Sequence, residues 1–126
     1  MATQLRKSFY TALPSFVAKG KTRPKDLVAF AAKYADTADR ELAIDIIHRC
    51  YGEACGRHEA YQVPLAEALI LLNNMKGVRM VINDLIESER YTEAARLLER
   101  IGDMKEAIRC YLYGGEVDTA FRLGRR

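Results

Sequence analysis

Cut every 13 residues from Leu65, the second half of this chain falls into register with itself. The segments are LAEALILLNNMKG, VRMVINDLIESER, YTEAARLLERIGD, MKEAIRCYLYGGE and the shorter VDTAFRLGRR. Their fourth position is Ala68, Val81, Ala94, Ala107 and Ala120, always small. The fifth is Leu69, Ile82, Ala95, Ile108 and Phe121, always apolar. The eighth is Leu72, Leu85, Leu98 and Tyr111, then Gly124 in the incomplete last unit. Near the boundaries stand Gly77, Arg90, Gly102-Asp103 and Gly115-Glu116.

A unit of this length leaves little choice of fold. Nine or ten residues make about two and a half helical turns, some 15 Å, and three or four make a tight reversal. Apolar positions four, five and eight share one helical face. Glycine at a helix end supplies the left-handed C′ conformation, and a following Asp or Glu suits the positive end of the next helix. Glu67, Glu93 and Glu106, which recur at one repeat position, are read as first-turn glutamates rather than a carboxylate array. Helices so short do not persist alone and must pack on one another. The expectation is an all-α chain: a right-handed stack of short antiparallel helical hairpins, an α-solenoid of about seven or eight helices.

Upstream the helical pattern continues without the strict period. Thr3 to Ala12 reads as a helix with Leu5, Phe9 and Leu13 on one side, interrupted by Pro14. Gly20 to Arg23 is a loop, and Pro24 suits a first helical residue, followed by an apolar face of Leu27, Val28, Ala31 and Tyr34. Thr37 is placed to cap the next helix, whose Leu42, Ala43, Ile46, Ile47 and Cys50 face the core. A polar stretch from Gly52 to Gln62 is a longer connection, and Pro64 restarts the helical pattern. The chain thus reads as one helical domain over residues 1–126, irregular over 1–62 and repetitive over 65–126.

The segment ESERYTEAARLLERIGDMKEAIRCYLYGGEVDTAFRLGRR resembles the hairpins of tetratricopeptide-like and clathrin-heavy-chain-like α-solenoids. Ala95, Leu98, Gly102, Asp103, Ala107 and Tyr111 stand in the order of the phrase A-x-x-L-x-x-x-G-D-x-x-x-A-x-x-x-Y typical of such repeats. The resemblance implies a scaffold in a multi-subunit assembly, in membrane trafficking or intraflagellar transport. It covers about 40 residues. The chain has no Trp and its unit is shorter than the tetratricopeptide consensus, so peptide-clamp chemistry does not carry over. The last unit stops at Arg126 without an obvious polar cap, which fits either a fragment or a last helix that docks on a partner.

The sharpest chemical cluster is HRCYGEACGRH, with His48, Cys50, Cys55 and His58. Four nitrogen and sulfur ligands suit a structural zinc, but H-x-C-x4-C-x2-H matches no common zinc module. The alternative puts Cys50 in the core, His48 at the surface and Cys55 in the loop. No nucleophile–base pair and no Gly-rich phosphate loop is recognisable, so no enzyme activity and no cofactor is expected. The net charge of +3 conceals an asymmetry: residues 1–33 carry +6, 34–64 carry −3, and 65–126 balance. The candidate partner-binding residues are therefore Arg6, Lys7, Lys19, Lys21, Arg23 and Lys25, facing an acidic protein, RNA phosphate or anionic lipid. Three cysteines, an odd number, suit a reducing compartment. Cytoplasmic localisation follows. An acid-free stretch from Met1 to Lys25 also fits mitochondrial import and, with it, a structural role in an organellar ribonucleoprotein.

Overall fold

A computed structural model of the protein describes residues 23–54 and 61–125, the backbone alone for 51–54. Among these residues there are seven α-helices and no strand, so the fold is all-α. The helices are α1 (Pro24–Tyr34), α2 (Arg40–Ala54), α3 (Gln62–Leu71), α4 (Met75–Glu87), α5 (Tyr91–Arg100), α6 (Met104–Tyr113) and α7 (Val117–Gly124). The helix expected over residues 3–12 lies outside the described residues. The chain divides into two compact units between Val78 and Arg79.

In the first unit α1 packs on both α2 and α3, and α2 packs on α3. Pro24 opens α1, where its missing N–H costs nothing, with Asp26 in the first turn and Lys33 in the last. Leu27, Phe30 and Ala31 are buried, whereas Val28 and Tyr34 keep part of their surface in solvent. Tyr34 leans on Phe30 with ring centroids 5.1 Å apart. The role expected of Thr37 needs correction. Its hydroxyl donates to the Tyr34 carbonyl at 2.8 Å and accepts from the Asp39 amide at 3.2 Å. It closes the turn after α1, as short hydroxyl side chains do locally, and lies three residues before α2 begins. That helix buries Ala43, Ile44, Ile46, Ile47 and Cys50, but Leu42 stands 40% exposed, with Ile44 in the core in its stead.

In the second unit α6 packs between its sequence neighbours α5 and α7. Tyr91 at the start of α5 meets Tyr113 at the end of α6, ring centroids 5.6 Å apart, so these two helices run antiparallel. Their helices bury Ala94, Ala95, Leu97 and Leu98 from α5, and Ala107, Cys110 and Tyr111 from α6.

One reversal recurs at four places. After α3, the Asn73 amide bonds to Ile70 O and the Asn74 amide to Leu69 O. After α4 the donors are Glu89 and Arg90, after α5 Gly102 and Asp103, and after α6 Gly115 and Glu116, on carbonyls three and five residues back. The first donor of each pair has positive φ: Asn73 58°, Glu89 61°, Gly102 85° and Gly115 81°. This is the Schellman arrangement, which satisfies carbonyls that a helix end leaves open. The second donor at once begins the next helix, because its own carbonyl receives the amide four residues on, at Val78, Ala94, Ala107 and Ala120. Those four residues are buried, and so are Val81, Leu97, Cys110 and Leu123 three positions later.

The structure thereby corrects the phase of the repeat. The last three cuts, at Tyr91, Met104 and Val117, coincide with the first residues of α5, α6 and α7. The first two miss by three, since α3 begins at Gln62 and α4 at Met75. The cause is α4, whose 13 residues exceed the ten of α3, α5 and α6 by nearly one turn. A comb of fixed pitch slips there. Gly77, read as a breaker, lies in the first turn of α4, and Glu67 lies in the body of α3; Glu93 and Glu106 do sit in first turns. Gln62, read as the end of a polar connection, is buried as the first residue of α3.

The recurrent left-handed residue makes opposite predictions at two equivalent positions. A Cβ at Gly102 would have nothing within 4 Å, so Gly102→Ala bears only the backbone penalty and should cost about 1 kcal/mol. Glu89 already bears that penalty, and Glu89→Gly should stabilise by about 0.5–1 kcal/mol. Urea unfolding of the two variants checks the signs; equal signs would contradict the shared geometry.

Candidate functional site

Four of the six basic candidates, Arg6, Lys7, Lys19 and Lys21, lie outside the described residues. Arg23 occupies the cap position of α1, with its guanidinium 3.2 and 3.4 Å from the Asp26 carboxylate. Lys25, the second residue of α1, is exposed. Asp26 thus offsets part of the positive charge at the start of α1, in a solvent-exposed pair of small energetic weight.

Within the His/Cys cluster, Cys50 is fully buried on the core face of α2. Cys55 and His58 lie outside the described residues, and no group of three or more His, Cys, Asp or Glu among those described is placed for a metal ion. His48 is part-buried rather than at the surface, because its Nε2 stands 3.2 Å from Asn74 Oδ1. That oxygen also accepts the Gly77 amide at 2.8 Å, the N-cap bond of α4. An oxygen accepts only, so the imidazole donates here and Nε2 carries the proton. The Gly77 position has no room for a side chain: a Cβ would overlap Asn74 Oδ1 and lie 2.8 Å from His48 Cε1. A second tie runs from Arg40 Nη1 to the Leu72 carbonyl at 2.6 Å, at the C-terminal end of α3. α2 therefore ties to the Leu72 carbonyl at the end of α3 and, through the Asn74 side chain, to the cap of α4.

In the second unit the Tyr111 hydroxyl donates to the Glu99 carboxylate, joining α6 to α5. Burial, then the hydrogen bond to Glu99 and that group's negative charge, push the phenol up to about 12. Burial also raises the Cys110 thiol, with nearby Glu106 and Asp103 adding to it and Arg109 opposing, so the reactive thiolate is disfavoured. Sequence alone placed Tyr111 on the apolar face. Its hydroxyl partner has one signal in the sequence, a tyrosine where the three preceding units carry leucine.

The surface that stands out is apolar. Leu112 and Tyr113 at the end of α6, with Val117 and Phe121 on α7, are 50%, 67%, 52% and 66% exposed. A shallow groove of about 320 Å³ runs between the two helices, lined by Leu112, Ala120, Phe121, Gly124 and Arg125. Phe121, expected on the buried face with the other fifth-position residues, is instead outside, with the Arg125 guanidinium 5.7 Å from its ring centre. Its packed equivalent on α5 is Ala95, which is fully buried. A smaller groove of about 170 Å³, lined by Arg79, Ile82, Asn83, Ile86, Leu98 and Glu106, is flanked by the Arg79–Asp103 ion pair at 3.2 Å. Among the described residues no helix is long and apolar enough to cross a membrane. Comparison with protein-family models, with curated proteins and with solved structures finds no match to this chain.

Two outcomes follow from these contacts. Gly77→Ala should cost about 1–2 kcal/mol through loss of the cap, and the double variant His48→Ala/Gly77→Ala should cost less than the two singles combined, since displacing Asn74 Oδ1 already breaks its bond to His48. Strict additivity in denaturant melts would contradict the packing. For Tyr111, both folded and unfolded chains keep the phenolic proton below pH 10, so its contribution to stability is complete there. Between pH 10 and 12 the unfolded chain gives it up first, and about 2–3 kcal/mol should be lost as pH rises. Tyr111→Phe should flatten that part of the stability–pH curve relative to the unsubstituted chain.

Proposed function

We propose that this protein is a non-enzymatic helical-repeat scaffold or adaptor that joins protein subunits of a larger assembly, of the trafficking or intraflagellar-transport kind that its resemblance to α-solenoids suggests. The observation that carries this reading is the reversal that recurs after α3, α4, α5 and α6. A chain built by repeating one hairpin grows by adding surface, and its side chains are spent on holding successive helices together. His48, Gly77, Arg40 and Tyr111, the residues with the most distinctive chemistry, all serve such ties. The exposed apolar strip of α6 and α7 supports the same reading, since contiguous apolar surface marks contact with other macromolecules. The basic N-terminal residues Lys19, Lys21 and Arg23 supply a second contact, toward an acidic protein surface.

The test is purification of the tagged chain from cells at native expression, with and without ribonuclease. The expected result is a fixed set of protein subunits in constant ratio, unchanged by ribonuclease and diminished by charge reversal at Lys19, Lys21 and Arg23. Recovery through RNA alone would favour the organellar ribonucleoprotein instead, and recovery of the free chain would contradict the scaffold.

A further inference from the structure

We infer that the exposed face of α7 pairs with the same face of a second copy of this chain, antiparallel and about a two-fold axis near Phe121. Three features of the helix carry this. Its buried side is formed by Ala120 and Leu123, which leaves Val117, Phe121 and Gly124 as an apolar strip at i, i+4 and i+7 on the outside. The strip is self-complementary: Phe121 projects 66% exposed beside a groove that it lines together with Leu112 and the small residues Ala120 and Gly124. An aromatic knob next to a small-residue hollow is what an isologous contact needs, because each copy offers both halves.

Charge supplies the direction. Asp118 and Arg125 border the strip seven residues apart, the acid in the first turn and the base just past the last. Neither has an ion-pair partner among the described residues; Arg125 rests over the Phe121 ring. With the dyad between residues 121 and 122, antiparallel pairing sets Asp118 of each copy against Arg125 of the other, making two equivalent ion pairs at the ends of the apolar contact. Parallel pairing would set like charges together.

The contact is small. Eight residues span about 12 Å, and with Leu112 alongside the face falls short of the roughly 800 Å² per partner of a standard interface. The dimer should therefore be weak and concentration-dependent. The same strip supports the scaffold reading, and the purified chain separates the two, because self-pairing needs no other subunit.

Sedimentation equilibrium of the full chain at rising concentration is the experiment. A reversible monomer–dimer transition is expected, and Phe121→Asp should weaken it at least about tenfold. Both Asp118→Arg and Arg125→Asp should behave as monomers by themselves, since each sets like charges face to face. Mixed in equal amounts, they should recover the dimer, because every Arg then meets an Asp across the dyad. Circular dichroism melts check that the variants stay folded, which their exposed positions favour. A strictly monomeric chain at about 1 mM, or a dimer unaffected by Phe121→Asp, or single variants that fail to recover on mixing, would each overturn the proposal.

Discussion

Helices of ten residues do not hold their shape alone in water, so this chain depends on how each helix hands over to the next. The residue after every left-handed position performs two tasks. The amide of Asp103 closes α5 on the Leu98 carbonyl, and the carbonyl of Asp103 opens α6 by receiving the Ala107 amide. Its side chain accepts the Glu106 amide as well. Because one residue ends a helix and starts another, the reversal takes three residues and leaves no slack. The residue four places on, Ala94, Ala107 or Ala120, is small and buried.

The first unit meets the same constraint with different means. There the left-handed residue is Asn73, which tolerates positive φ better than most non-glycine residues, and Asn74 caps α4. α2 reinforces that turn from outside through Arg40 and His48. In the second unit the reinforcement runs within the hairpin, through Tyr111 and Glu99 and through the Tyr91–Tyr113 contact.

How far the sequence disclosed this depends on how much of each feature is local. Gly102-Asp103 and Gly115-Glu116 could be read directly, since glycine at positive φ followed by an acid is a local signature. Asn73 and Glu89 take up the same conformation without glycine, and Glu89 carries no turn signal at all. The extra turn of α4 displaces a comb of fixed pitch, which puts Gly77 at a false boundary. Its nearest neighbour is the Asn74 cap oxygen three residues back, and His48, 29 residues earlier, closes the other side, which no local pattern records. Functional features divide the same way. The basic run was visible as charge, though only Arg23 and Lys25 fall among the described residues. The open face of α7 was hidden because Phe121 obeys the same apolar pattern as the buried Ala95; what differs is the neighbour that covers one and not the other.

The fold depends on the doubled role of the cap residues, and amide hydrogen exchange tests that role most directly. The amides of Asn74, Arg90, Asp103 and Glu116 sit in segments that a generic loop would leave open to solvent, yet each donates to a carbonyl five residues back at 2.8–2.9 Å. Exchange measured residue by residue under native conditions should show these four amides slowed to the level of the helix interiors on either side. Exchange at the rate of free loop amides would contradict the reversal on which the rest of the structure is built.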